Sequence, residues 1–209
     1  MPGRRDSGLA SPQVKDARPY IWPCSTRRRN RLMPGRTPPN TVAAFLEPLR
    51  EALKVLDAVT HISVAPKGGF RRGGRYAWVL NGSRGASLGS AGTLFATMEF
   101  EIIDCDPDSN EFGYPLRVST RSYHYKLRAT DGPDHWRMHW HPEGNSPVTW
   151  AHLHLPPNYK RHLASERMTF EKAISWCAEF GAPLTCTPTE AADRLLLTEA
   201  PHRLHRSWV

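Results

Sequence analysis

The fold of this chain is decided by residues 123–162, which read YHYKLRATDGPDHWRMHWHPEGNSPVTWAHLHLPPNYKRH and hold seven of its ten histidines. Apolar and polar residues alternate in three segments of this stretch: Tyr123–Arg128, Trp136–His141 and Trp150–Leu155. Alternation over four to eight residues is typical of half-buried strands. An Asp-Gly turn signal separates the first two segments, and PEGNSP separates the second from the third. The stretch therefore predicts a three-stranded antiparallel meander.

The alternation also predicts what each face of the meander carries. A one-residue slip would send the core residues of a strand to solvent, so the apolar residues fix the parity of the register. One face would carry Tyr123, Tyr125, Leu127, Trp136, Met138, Trp140, Ala151, Leu153 and Leu155. The opposite face would carry His124, Lys126, Arg128, Arg137, His139, His141, His152 and His154. The simplest pairing gives two rows, His124–His139–His152 and Lys126–Arg137–His154, with opposed Cβ atoms about 5 Å apart.

Helical patterns flank the predicted strands on both sides. Asn40 is a candidate N-cap for a helix near residues 41–58 whose apolar stripe would cover the sheet. Further candidate strands occupy residues 60–65, 75–81 and 93–103. After the meander, Thr169 caps a helix over residues 170–180, and a capping box at residues 187–190 opens a last helix. We expect an α+β fold: an antiparallel sheet of about five to six strands, with an N-terminal helix and one or two C-terminal helices packed on one face.

The basic charge of the chain is concentrated at its N-terminus. Of the formal net charge of +8, residues 1–36 carry +7, from eight Arg and one Lys against two Asp. Residues 1–38 are rich in Arg, Pro and Ser and poor in large aliphatic residues, which is typical of disorder. The sequence therefore predicts a disordered basic tail over residues 1–38 and a single α+β domain over residues 39–209.

Cysteine usage and hydropathy indicate the compartment. The four cysteines show no CxxC spacing, so neither a zinc knuckle nor a disulfide framework is indicated, and reduced thiols are expected. No apolar run approaches the roughly 18 residues of a membrane span, and the N-terminus lacks the apolar core of a signal peptide. We expect a cytoplasmic protein without a membrane partner.

The row of imidazoles beside a row of cations predicts phosphodiester cleavage. Histidine serves as general base or general acid because its ordinary pKa is about 6.5. The candidate catalytic residues are His124, His139, His141, His152 and His154. Lys126, Arg128 and Arg137 would bind the phosphate, since an anion between Lys126 and Arg137 would relieve their repulsion. On this interpretation the protein is a metal-independent endoribonuclease that acts on RNA and needs no cofactor.

Two other interpretations fit the same residues. His139-x-His141 and His152-x-His154 would bring four imidazoles onto adjacent strands, a donor set that suits zinc, copper or iron(II). The neighbouring Lys126 and Arg137 disfavour a bound cation there. Alternatively, the histidines form the polar face of a binding module for nucleic acid or protein that has no catalytic activity.

Three motifs resemble the C-terminal half of the TumE-type toxins: WRMHWHP at residues 136–142, HLHLPP at residues 152–157 and MTFEKAI at residues 168–174. The residues that match are Arg137, His141, Pro142, His152 and His154. The family commonly has Asp-Asn where this chain has His139-Trp140, and residues 1–92 have no counterpart. The resemblance implies a cytosolic bacterial toxin whose partner is a helix-turn-helix antitoxin protein.

Overall fold

The computed structural model describes residues 35–66, 68–106, 108 and 113–204, so most of the predicted basic tail lies outside the described residues. In chain order the elements are α1 (Pro38–Leu53), β1 (Ile62–Val64), β2 (Arg75–Leu80), β3 (Ala86–Ser87), β4 (Thr93–Asp104), β5 (Leu116–Arg128), β6 (Asp134–Trp140), β7 (His152–His154), β8 (Leu163–Ala164), α2 (Phe170–Glu179) and α3 (Pro188–Leu204). Two short 3-10 turns flank β3. Within the described part of the chain, no helix is long and apolar enough to cross a membrane.

The strands form one antiparallel sheet in the order β1-β2-β4-β5-β6-β7-β8, and β3 pairs with β4 at its side. The expected α+β class is confirmed, with eight strands where about five to six were predicted. The additional strands include β3 and β8, which have two residues each and so show no alternation to detect. Strand β5 begins at Leu116, seven residues before its predicted start, because residues 116–122 are largely polar.

The register of the meander is the simplest one that the apolar parity allows. His124 pairs with His139 and His139 with His152, while Lys126 pairs with Arg137 and Arg137 with His154. Each row continues onto β4, where Thr97 pairs with His124 and Phe95 pairs with Lys126.

The helices begin where local capping satisfies their first backbone N–H groups. The N-cap of α1 is Thr37 and not Asn40, since the Thr37 hydroxyl accepts a hydrogen bond from the Asn40 N–H. Upstream of that cap, the Leu116 N–H donates to the Gly35 carbonyl at 3.1 Å, so the fold extends N-terminally to Gly35. The Thr169 cap of α2 and the Thr187 capping box of α3 are both as predicted.

The core lies between the apolar face of the sheet and the helical layer. The Phe170 ring of α2 lies 5.0 Å from that of Trp78 and 5.4 Å from that of Tyr125. Phe45 of α1 contacts Phe100 of β4 at 5.3 Å. Helix α3 packs on α1 and α2, which completes the helical layer over this face. The opposite face, which we call the histidine face, carries both rows described above.

Candidate functional site

The structure brings all five predicted catalytic histidines together and adds a sixth. Neighbouring rings lie 4.2 Å apart for His124 and His139, 5.4 Å for His139 and His152, and 5.0 Å for His152 and His154. The sixth ring is that of His162, which lies 4.7 Å from both His152 and His154. Sequence reasoning missed His162 as a site residue because it belongs to no alternating segment. Its place at the end of the seven-histidine stretch was the available signal.

The imidazoles of β7 are buried, although they lie on the polar face that the alternation predicts. His152 is 1% exposed and His154 is 6% exposed, while His124, His139 and His141 are partly exposed. The segment between β7 and β8 folds back onto this face through Tyr159. The Tyr159 hydroxyl donates to the Asp134 carbonyl, and the Arg137 guanidinium lies 5.2 Å from the Tyr159 ring.

Backbone carbonyls fix the orientation of both buried imidazoles. The Nδ1 of His152 lies 2.9 Å from the Trp150 carbonyl oxygen, and the Nδ1 of His154 lies 2.6 Å from the Tyr159 carbonyl oxygen. A carbonyl oxygen only accepts, so Nδ1 carries the proton in both rings. In a neutral ring the lone pair is then on Nε2. Each buried histidine therefore presents a nitrogen that can ligate a metal ion.

Several of these nitrogens have no hydrogen-bond partner among the described residues. The Nε2 atoms of His124, His139 and His152 are all buried and unpartnered. A buried polar atom without a partner costs about 1–3 kcal/mol, so proteins rarely keep several side by side. An ion or ordered water is the usual explanation for such a group.

Two sets of three histidines have the spacing of a metal site. The first triad is His139, His141 and His152, and the second triad is His152, His154 and His162. In each triad the ligand nitrogens lie within 4.8 Å of one another. Nitrogens bound at about 2.0–2.1 Å to a tetrahedral zinc ion lie roughly 3.4 Å apart. Small movements of the side chains would therefore close either triad around an ion.

A carboxylate of the protein offsets part of the charge of the cationic row, and the sequence interpretation missed it. Asp134 is 3% exposed and pairs with Nε of Arg137 and, at 3.3 Å, with Nε of Arg128. A β-bulge turns Asp134 toward this face: Arg128 pairs with Asp134 and skips His135, whose ring contacts Phe180 instead. An alternation pattern does not reveal a bulge, so the sequence alone predicts an external anion between Lys126 and Arg137.

Lys126 and Arg128, two of the predicted phosphate ligands, form a small cationic patch beside the imidazoles. The Lys126 ammonium lies 4.9 Å from the Phe95 ring, and the Arg128 guanidinium lies 5.2 Å from the same ring. No ion pair within 4.0 Å joins Lys126 to an acidic side chain among the residues described. Burial lowers the pKa of Lys126, and the nearby Arg128 charge adds to the effect. The patch can hold an anion, although Asp134 already offsets part of its charge.

Burial keeps the central imidazoles neutral. Loss of hydration lowers the pKa of His124 to about 4, and the charges of Lys126 and Arg137 add to this effect. Burial also lowers the pKa of His139 to about 2, with further lowering by the surrounding histidines. The pKa values of His152 and His154 are lowered by burial too, against the opposing effect of their carbonyl hydrogen bonds. Neutral imidazoles suit metal ligation or general-base catalysis, and none of these four supplies a protonated general acid at pH 7.

The chain matches no protein-family model, and no significant match exists among curated proteins or solved structures. The resemblance to the TumE-type toxins therefore rests on the three quoted motifs alone.

Proposed function

We propose that this protein binds a transition-metal ion on its histidine face, with Zn²⁺ as the first candidate. The observation that carries the proposal is the fixed orientation of His152 and His154, whose Nδ1–H groups donate to backbone carbonyls. Metal-ligating histidines almost always donate their other ring N–H in this way, which orients the ring and raises its basicity. Because Nδ1 holds the proton in both rings, the lone pair of each Nε2 is available to an ion.

The surroundings also favour an ion over an empty polar cluster. Unpartnered Nε2 atoms on His139 and His152 cost free energy in a protein without metal, and coordination would satisfy both of them. The positive charge of Arg137, the main argument against a bound cation, is offset by the buried carboxylate of Asp134. Lys126, Arg128 and Arg137 together still exceed the single charge of Asp134, and this excess remains the argument against a bound cation.

The donor set points to a reactive centre. Three nitrogen ligands leave one tetrahedral position open, whereas structural zinc sites use four protein ligands. Zinc in such a site lowers the pKa of bound water to about 7, which supplies a hydroxide nucleophile. Lys126 and Arg137 would then hold an anionic group of a substrate beside the ion. We therefore favour a hydrolytic metal centre over a purely structural one.

Metal analysis of the full chain without a polyhistidine tag tests the proposal. Protein purified after growth with Zn²⁺ should retain about one equivalent after dialysis. At free metal near 100 times Kd, binding should stabilise the fold by about 2.7 kcal/mol, which a thermal melt detects. His152→Gln, which keeps a polar side chain in the buried position, should lower metal content most strongly.

The control for this experiment is His61→Gln, at an exposed histidine outside the cluster. It should retain the metal content and the melting behaviour of the wild type. Protein that retains no Zn²⁺, Co²⁺, Ni²⁺, Cu²⁺ or Fe²⁺, and whose melting temperature no ion changes, would overturn the proposal.

A second candidate is metal-independent RNA cleavage, as in the toxin interpretation. The observation that favours it is the alignment of the Lys126–Arg137 pair beside the His124–His139 pair. A neutral His139 is competent as a general base for a 2′-hydroxyl proton, and such a base contributes about 10²–10⁴ in rate. Its partners would be RNA and an antitoxin protein.

Activity with and without chelator separates the two candidates. Acid–base cleavage should continue in EDTA, should fall strongly in His139→Ala, and should arrest bacterial growth on expression. Arg137→Lys should recover only part of the activity lost in Arg137→Ala, because a point charge does not replace a planar guanidinium. Cleavage that stops in EDTA and returns with Zn²⁺ would assign the same face to metal chemistry. RNA cleavage that is equal in His139→Ala, His152→Ala and His61→Ala would remove this candidate.

A further inference from the structure

The two triads of the histidine face have one residue in common. His152 belongs to both, with its ring 5.4 Å from that of His141, 5.0 Å from that of His154 and 4.7 Å from that of His162. His139 completes the first triad at 5.4 Å from His152. Any ion bound by either complete triad must therefore use His152.

The hydrogen bond of His152 prevents it from serving two ions at once. Its Nδ1 is 2.9 Å from the Trp150 carbonyl oxygen and holds the proton that this bond requires. Only the lone pair of Nε2 remains, and one lone pair binds one ion. A bridging imidazolate would have to break the bond to Trp150 and lose a second proton. The two triads are therefore alternatives, and one ion excludes a second from the other triad.

The two triads differ in the solvent exposure of their ligands. His162 of the second triad is exposed, and it follows the covering segment that carries Tyr159. His139 of the first triad is partly buried, and its Nε2 has no contact with solvent. Among the ligands of the two triads only His162 is exposed, so an ion that arrives from solution meets it first.

We propose that the protein holds a single transition-metal ion that moves between the two triads, with His152 as the ligand common to both. This inference rests on the proposed metal-binding function. The ion enters through His162 and exchanges His154 and His162 for His139 and His141 while it remains bound to His152. In the first triad it lies beside His124, which packs against His139, and in the second triad it lies beside Arg137, which pairs with His154. On this proposal His154 and His162 hold the ion after entry, and His139 and His141 hold it after the exchange.

Titration with Co²⁺, whose absorption spectrum reports its ligands, tests the proposal on the full chain without a tag. The wild type should bind about one equivalent. His141→Ala and His162→Ala should each still bind about one equivalent, with different spectra, because each variant keeps the other triad. The affinity of each single variant should fall less than about tenfold, while that of the double variant should fall more than about 100-fold. His162→Ala should also slow the association of Co²⁺ in stopped-flow mixing, while His61→Ala should change nothing.

Four outcomes would overturn the inference, and they are distinguishable from one another. Two equivalents in the wild type would show two independent sites. Loss of binding in His162→Ala alone would assign one fixed site to the second triad, and loss in His141→Ala alone would assign it to the first. Absence of any binding in the wild type would remove the proposed metal function itself. Circular dichroism of each variant shows that the fold is intact, which is expected because neither His141 nor His162 is buried.

Discussion

On one face of the sheet, Tyr125 and Met138 are fully buried beneath the helical layer, while on the other face their neighbours His124 and His139 pack edge to face at 4.2 Å. Side chains on the first face contact many partners through non-directional dispersion and the hydrophobic effect. Side chains on the histidine face are oriented instead by a few directional hydrogen bonds to backbone carbonyls, such as those of His152 and His154. Packing is therefore concentrated on one face, and the proposed metal chemistry on the other.

Truncation of a buried side chain on the helix-covered face should have the largest effect on the free energy of unfolding. Phe170→Ala should lower the free energy of unfolding by about 3–5 kcal/mol, because it removes a fully buried ring between Trp78 and Tyr125. Urea unfolding followed by tryptophan fluorescence measures the change.

Lys172→Ala is the matched control, since it lies two residues along the same helix and is exposed. Its effect should stay within about 0.5 kcal/mol. If Phe170→Ala lowered the free energy of unfolding as little as this control, packing of α2 on the sheet would not be a major source of stability.

The sequence predicts the histidine rows well because strand alternation has a period of two. Once Trp136, Met138 and Trp140 are assigned to the core, Arg137 and His139 must lie on the opposite face. The apolar parity and the short turns then leave few alternative registers, and the simplest of them is the observed one.

The parts of the site that sequence could not predict depend on contacts made outside the strands. The carbonyl that orients buried His154 belongs to a loop residue, Tyr159, whose position follows from no periodic pattern. The approach of Asp134 to Arg128 requires a bulge, which changes the parity of a single residue. The sequence gives only a weak indication of this contact, namely an acidic residue at the start of a strand that carries cations on one face.

An intermediate effect is expected at Asp134, the residue that offsets part of the charge of the histidine face. Asp134→Asn keeps the shape of the side chain and removes the charge that Arg128 and Arg137 share. The free energy of unfolding should fall by about 1–3 kcal/mol because two ion pairs lose their charge. The loss is no larger because both guanidinium groups are partly exposed and regain hydration. Metal affinity should fall as well, since Arg137 would then repel the ion. Urea unfolding and a Co²⁺ titration measure these two changes.

Asp131→Asn provides the control in the same turn, at an exposed position. It should leave both stability and metal affinity unchanged. Metal binding that is unaffected by Asp134→Asn would show that the carboxylate serves only the packing of the strand end.

The smallest effect concerns how the stability of the metal-free protein depends on pH. The pKa of His124 is about 4 in the folded protein, below its ordinary value of about 6.5 in an unfolded chain. The groups that act on it are burial first, then the charges of Lys126 and Arg137, against the opposing charge of Asp134. An unfolded chain therefore binds a proton at this residue at higher pH than the folded protein does.

The direction of the pH effect follows from this difference. The contribution of His124 to stability should be complete above about pH 6.5 and should decrease as the pH falls toward 4, where the folded protein also binds the proton. At pH 5.5 the loss is limited to about 1.4 kcal/mol, and partial hydration of the ring makes it smaller. Urea unfolding in EDTA at pH 7.5 and pH 5.5 should show a smaller loss in His124→Gln than in the wild type, and an unchanged loss in His61→Gln. Stability of the wild type that rises as the pH falls would mean that these imidazoles are charged in the folded protein, and the histidine face would then attract anions in place of a metal ion.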